Sequence, residues 1–379
     1  MNQQKKEQYE FLYAEISKNA GKYGKSVKAQ VAVWEDEIPE IQPLLLRCNA
    51  PAEYAGKLPG YIQKETHGDK VKMLLSGMSQ MIQTALSCMQ SVPSIRANMG
   101  CGIYPTLFPG VKQALFDDGK MPWVVNHLSY DEISGMKEKD IQITDEFNIG
   151  LEHMEYISEH ISGSGAYLFP LDLQDPFAVA HMIYGDELFY TMYDDPEFVH
   201  HLLDLCCHAI NIGMTECLKI MPDSSDIITH YNDVAIPRSR GGLKISVDTA
   251  TLLGSEHIEE FVVPYMNRVL ESFGGGYAHY CGRSDCLFDI LLKQEKVYGL
   301  NFGQPDIHDM NDILKRLSKA GKIYYGGVPM SEGEDYAAYF SRLKDVATTD
   351  GKCRLLLELY SGYDNQDSVK TAWESVFAT

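Results

Sequence analysis

The run "YAHYCG" at residues 277–282 sets His279 and Cys281 one residue apart and follows them at once with Gly282. On a β-strand, residues i and i+2 point to the same side, so this imidazole and this thiol can converge on one object. Zinc accepts both as ligands, and metal binding is the chemistry such a pair offers. The residue types leave a second reading open. Free Cys is a common small buried residue, and a lone His is often a hydrogen-bonded core residue.

The elements that must position this pair are read from periodicity. Short β-rich runs occur at 28–34, 94–98, 166–171, 226–231, 277–281, 297–302, 322–327 and 354–360, separated by segments of helical spacing at 64–90, 144–162, 195–220, 255–273, 285–295, 308–320, 334–346 and 365–378. Asp195 ahead of Pro196 is a helix start signal. This alternation predicts an α/β fold, a (β/α)8 TIM barrel forming a single domain over 1–379, with an open α/β sheet as the alternative. An N-terminal helical extension is expected over 1–27. The Gly-, Pro- and aromatic-rich run "RANMGCGIYPTLFPGVKQALFDDGKMPWVV" (96–125) reads as a long loop over the barrel mouth.

Polar residues gather where the predicted strands end: Trp34 with Glu35, Asn98, Asp172, His230 with Asn232 and Asp233, His279 with Cys281, Asn301 with Gln304, and Tyr360. In a barrel those ends share the face that carries chemistry. Asp233 is the candidate proton-handling carboxylate, with His230 beside it, and the alternative is an Asx-type turn capping the strand. Asn232, Asn301, Gln304, Trp34, Asn98 and Tyr360 form the expected substrate shell, the amides by hydrogen bonding. The stretch "DPEFVHHLLDLCCH" (195–208) is rich in His and Cys but helical, and reads as a packed outer helix rather than a metal site.

Formal charge over the 379 residues is −20, which argues against a nucleic-acid binder or a protein seated on anionic lipid. It also disfavours a highly anionic substrate unless basic residues gather locally. The opening residues lack the apolar segment of a secretory signal, and no window reaches the length of a membrane span. Nine scattered cysteines do not form a disulfide framework. A cytoplasmic protein with reduced thiols is expected.

Three stretches resemble the uroporphyrinogen decarboxylase superfamily: "DPFAVAHMIYGDELFYTMYDDPEFVHHLLDLC" (175–206), "ISVDTATLLGSEHIEEFVVPYMNRVLESFGGGYAHYCG" (245–282) and "YGGVP" (325–329). Two branches of that superfamily differ in chemistry. The decarboxylases hold a polycarboxylate with an N-terminal Arg-rich loop, whereas the corresponding segment here, "VAVWEDEIPEIQPLL" (31–45), offers Glu35, Asp36, Glu37 and Glu40. Arg47, Arg96, Arg238 and Arg240 remain available to gather at the mouth. The resemblance is closer to the zinc-dependent methyltransferases, which work with a corrinoid protein and bind zinc through a His-x-Cys strand plus a Cys near the last strand.

His279 and Cys281 match that pattern. For the third ligand, Glu358 of the last strand, or Tyr360 at its end, lies nearer the place where the family's Cys would be than Cys353, which stands at that strand's other end, about 20 Å from the mouth, and Glu358 is the expected ligand ahead of Cys353. Cys286 and Cys101 are weaker candidates. The resemblance implies that zinc activates an acceptor thiol toward a methyl group carried on a separate corrinoid partner, in a protein that relatives suggest is a homodimer. The competing readings are a metal-free decarboxylase or lyase on a carboxylated or tetrapyrrole substrate, and a non-catalytic barrel that binds a tetrapyrrole or corrinoid.

Overall fold

The computed structural model describes residues 1–117, 119–222, 226–230 and 234–377. Among the described residues, eight strands run parallel to a neighbour: β1 (Leu44–Cys48), β2 (Ser94–Ile95), β3 (Tyr167–Leu168), β4 (Leu243–Ser246), β5 (Gly276–Tyr280), β6 (Val297–Phe302), β7 (Ile323–Gly326) and β8 (Leu355–Ser361). Six of them form one sheet in the order β1-β8-β7-β6-β5-β4. The other two, β2 and β3, pair with each other, and a parallel bridge from Gln174 to Ser246 joins the chain after β3 to β4.

Between β1 and β2 there is no backbone ladder among the described residues, so a closed ring of eight strands is not seen. Side chains serve that edge instead. The Gln90 amide oxygen accepts from the Leu44 N–H at 3.4 Å, and the Ser91 hydroxyl donates to the Leu46 carbonyl at 2.8 Å. Backbone groups at a buried edge must find such partners.

Helices fill the connections close to the expected bounds, including Asp145–Ile161, Pro196–Ile220, Met310–Lys319 and Tyr336–Ala347. Their starts follow capping rules. The Asp195 carboxylate accepts from the Phe198 N–H at 3.1 Å just ahead of Pro196, and the Asp335 carboxylate accepts from the Ala338 N–H at 2.8 Å. The run 195–208 is helical as read: Cys206 and Cys207 are buried, and the His200 ring lies 2.7 Å from the Tyr265 hydroxyl.

Three expectations are corrected. Residues 28–34 are not a strand but the end of a helix, Ala20–Trp34, whose buried residues Tyr23, Ser26, Gln30, Val33 and Trp34 recur at helical spacing. Alternation over seven residues could not separate the two periods, and the first strand is the following apolar run at Leu44–Cys48. Residues 227–230 pair antiparallel with Val234–Pro237 as a hairpin rather than joining the parallel sheet. The strand Leu243–Ser246 was not anticipated, because "LKIS" is short and carries a lysine. The loop 96–125 is largely irregular, with a 3-10 turn at Tyr104–Leu107 and a two-residue ladder between Gln113–Ala114 and Trp123–Val124.

Alternation along each strand divides the apolar residues between two cores. Leu44, Leu46, Ile245, Tyr280, Leu300, Phe302, Tyr324 and Leu357 pack under the helices, whereas Leu45, Tyr277, Ile323, Tyr325 and Leu356 meet Val33 and Trp34 in a second cluster on the opposite, inner face. The helix Ala20–Trp34 therefore ends by inserting Trp34 among the strands. Gly299 makes room for it: a Cβ at that position would stand 2.8 Å from the indole ring. Trp34 is 1 % exposed and stacks 6.2 Å from Tyr277, so its assignment to a substrate shell is replaced by a core role.

Because Trp34 fills this interior, Trp34→Ala is expected to destabilise the protein by about 3–5 kcal/mol. Urea unfolding followed by far-ultraviolet circular dichroism measures this, and a loss below about 1 kcal/mol would contradict the packing role.

Candidate metal centre

His279 is the fourth residue of β5, and Cys281 follows the strand end with its Cα on the same alternation. The structure adds a partner that the sequence reading did not name. Asp248, two residues beyond β4, brings a carboxylate to the pair, and the donor atoms of Asp248, His279 and Cys281 all lie within 4.8 Å of one another. The thiol sulfur is 3.7 Å from His279 Nε2, and Asp248 Oδ1 is 4.0 Å from the same nitrogen. Two ligands of one tetrahedral zinc, at ~2.3 Å to sulfur and ~2.05 Å to nitrogen, are separated by roughly 3.6 Å. The nitrogen, sulfur and oxygen donors thus fit zinc in kind and spacing.

The ring orientation is fixed from behind. Asn301, the register partner of His279 on β6, accepts from His279 Nδ1–H through Oδ1 at 2.5 Å and donates through Nδ2 to the Tyr325 carbonyl at 2.6 Å. The carbonyl can only accept, so the amide nitrogen must face it, and the amide oxygen must face the imidazole. Nδ1 then carries the proton, leaving the Nε2 lone pair directed toward Cys281 and Asp248. This is the outer-sphere arrangement that orients a metal-binding histidine.

Electrostatics keep the donors in defined states. Burial, together with nearby Lys244, holds the His279 imidazole below its ordinary pKa, so it is neutral at neutral pH. Burial and the adjacent Asp248 carboxylate push the Cys281 thiol above its ordinary range. Without a metal the thiol is therefore protonated and unreactive.

The turn after β5 is held by backbone contacts. Asp248 Oδ1 accepts from the Cys281 N–H at 2.5 Å, and Gln304 Oε1 accepts from the Gly282 N–H at 2.6 Å. Gly282 has φ +82°, a conformation that favours glycine. Across from the thiol, Gly303 leaves no side chain in its way, since a Cβ there would stand 2.5 Å from the sulfur. Gln304, expected in the substrate shell, holds this turn.

Below the centre lies a cavity of about 420 Å³ whose walls include His279, Asn301, His230, Lys244, Asp172 and Glu358. His230 is fully enclosed. Its Nε2–H donates to the Gly242 carbonyl at 2.5 Å, and burial lowers its pKa to about 4. It stays neutral at neutral pH. Asn232 and Asp233 lie outside the described residues.

The third-ligand assignment is corrected. Glu358 stands on the cavity wall, 3.6 Å from Arg47 Nε, and does not join the donor cluster, while Cys353 sits in a short antiparallel ladder with Thr348 at the opposite end of β8. A parallel sheet sends every strand's C-terminal end to one side, and Asp248 reaches the pair from the loop after the adjacent strand β4. Neither Cys286 nor Cys101 belongs to the cluster. The remaining expected residues lie elsewhere around the mouth: Asn98 donates to Gln63 Oε1 at 3.1 Å beside a second cavity, and Tyr360, 57 % exposed, accepts from Arg47 Nη1 at 3.0 Å.

The acidic run after Trp34 is also placed differently from expectation. Asp36 pairs with Lys352 at 2.7 Å and Arg354 at 2.8 Å, at the foot of β8. These residues precede the strand whose other end faces the mouth, so Asp36 bears little on what the cavity accepts. No protein-family model matches the chain, and a comparison with curated proteins finds no match.

Replacing Asn301 with leucine removes the group that fixes the imidazole, and zinc affinity is expected to fall about 10- to 100-fold. Competition with a chromophoric chelator measures the change. Wild-type affinity in that variant would show that Asn301 does not orient the ligand.

Proposed function

We propose that this chain is a zinc-dependent methyltransferase of the uroporphyrinogen decarboxylase superfamily, with its strands arranged as a (β/α)8 barrel, moving a methyl group between a separate corrinoid protein and a small thiol or similar acceptor. The observation that carries the reading is the convergence of Asp248, His279 and Cys281, with the imidazole oriented by Asn301, at the rim of a half-open cavity. Three protein donors with one position left over is the pattern of catalytic zinc sites, whereas structural sites take four.

When bound, zinc would lower the pKa of an acceptor thiol and so raise its nucleophilicity. The chain's residues do the rest. His279 supplies Nε2 as a neutral donor, Cys281 supplies its sulfur after losing a proton, and Asp248 supplies an oxygen. Asn301 and Gln304 hold these groups still while the substrate sits in the cavity. Its volume of about 420 Å³ falls in the range of small-molecule sites. A mouth at the strand ends would face the methyl-carrying partner. Among the described residues no helix is long and apolar enough to cross a membrane.

Elemental analysis after zinc loading is expected to find one zinc per chain, lost in His279→Ala and Cys281→Ser while circular dichroism shows a folded protein. Asp248→Asn is expected to weaken binding by about tenfold or more. Since the Cys281 thiol is protonated in the metal-free state, uptake at pH 7 should release about one proton per metal, and affinity should rise with pH until the thiol's own pKa is passed. Transfer from a methylated corrinoid to a thiol, followed by the visible spectrum of the cobalt centre, tests the reaction itself. A wild-type protein that takes up no metal would overturn the proposal and move the assignment to the cofactor-free lyase.

A further inference from the structure

Among the described residues, the most exposed large apolar side chains gather on the metal centre's side of the molecule. They are Tyr193, Leu252 and Tyr190, at 72, 71 and 67 % exposure. Tyr190 and Tyr193 stand one turn apart on the helix Glu187–Asp194. The Tyr193 ring meets the His257 ring edge-on at 4.8 Å, and Leu252 precedes His257 by five residues. Leu252 also ends the 3-10 turn that begins with Asp248, which sets it about 8 Å along that turn from a member of the metal cluster. Single apolar residues scattered over a surface need no explanation, whereas a set gathered at the rim of a site marks a contact surface.

The charge on the same segments says what a partner must present. Acids are spread through the whole chain, but bases are not: residues 140–218 and 245–267 hold 19 Asp and Glu and no Lys or Arg, against 34 acids and 33 bases in the rest. These two stretches thus carry nearly all of the formal charge of −20. The fold packs them against each other, with the Asp175 N–H donating to the Ser246 carbonyl at 2.9 Å and the His200 ring 5.0 Å from that of Phe261. Asp172, Asp175 and Asp248 serve the cavity wall, a helix cap and the metal cluster, whereas Asp186, Glu187, Asp194, Glu256 and Glu259 are exposed on the segments that carry the aromatic side chains. Of the cations on neighbouring segments, Arg268 is held by Asp204 at 2.5 Å and Arg283 by Asp285 at 3.2 Å.

We propose that this face docks a separate protein whose contact surface sets Lys and Arg around an apolar hollow. Opposite charge draws such a partner in and fixes its orientation, while Tyr190, Tyr193 and Leu252 supply the anchors that become buried, tyrosine being a residue type that dominates contact energies. The same acids repel nucleic acid and anionic lipid. A protein seated here has its edge over the turn Asp248–Leu252, and so beside the cluster of Asp248, His279 and Cys281. That the docked protein is the one carrying the methyl group rests on the proposed function; the surface itself does not.

Fluorescence anisotropy with a short labelled amphipathic Leu/Lys peptide, at about 0.15 M salt so that distant charges are screened, tests the inference without any metal or methyl transfer. The peptide is expected to bind at least about tenfold more tightly than a Ser/Lys peptide of equal charge. The double variant Tyr193→Ser with Leu252→Ser is expected to weaken it about 10- to 100-fold, the effect of removing central anchors. Glu256→Lys with Glu259→Lys is expected to cost about tenfold, whereas Glu10→Lys with Glu40→Lys, two exposed acids outside both stretches, changes the net charge equally and is expected to cost less than about twofold. Equal binding of the two peptides, undiminished binding in the serine variant, or equal losses from the two charge reversals would each overturn the proposal, the last by showing that net charge alone acts. Sedimentation of the protein by itself as a dimer that the serine variant dissociates would also overturn it, since a second copy would then cover the face. Peptide binding as expected by a protein that never takes up zinc would leave the docking face standing while removing the methyl-carrying partner.

Discussion

The parallel register that sets Asn301 of β6 beside His279 of β5 is the constraint on which the candidate centre depends. Side chains on adjacent parallel strands at matched positions are within hydrogen-bonding reach, and here one amide reads two fixed groups at once. The Tyr325 carbonyl on β7 decides which end of the amide faces the imidazole, and the imidazole's free nitrogen is decided in turn. A slip of one residue between these strands would turn Asn301 to the outer core, leave His279 without its partner and scatter the three donors. Ordinary strand pairing thus acts as the outer support of a ligand set.

The same alternation separates stability from chemistry. Residues facing outward are apolar and pack under helices, and the inward residues at the lower level are Leu45, Tyr277, Ile323 and Leu356 around Trp34. Further along the same strands the inward positions become Arg47, His279, Asn301 and Glu358. An apolar plug at one end and ionised groups at the other keep the ion pairs near a face open to water, where their desolvation is tolerable. They remain buried enough for electrostatics to matter, as the lowered pKa of Asp172 between Lys244 and Arg96 shows. Overall charge is a poor guide to such an interior. The many acids of this chain are largely spread over its outside, and Asp36 serves the far end of the sheet.

Several features were legible in the residues alone: the α/β alternation, most helix bounds, and the His-x-Cys pair at a strand end. Each rests on short-range physics, namely hydrophobic period, capping chemistry and the two-residue repeat that puts His279 and Cys281 on one side. The strand assigned to 28–34 failed because seven residues of mixed polarity suit either period, and burial against the sheet interior selected the helix. The pairing of 227–230 with 234–237 was hidden because strand direction is not written in a strand's own residues.

The sequence determined that a thiol and an imidazole would stand together. Only the tertiary structure decided that their third companion is Asp248 rather than Glu358 or Cys353, and that Arg96 and Lys244 share Asp172. Those contacts join residues separated by about thirty to seventy-five positions, brought together by the register and direction of strands. A ligand pair within one strand is fixed by covalent geometry, but a partner from a neighbouring loop is fixed by packing. That is why Asp248, two residues beyond a strand too short and too polar to be read as one, stayed invisible until the sheet was assembled.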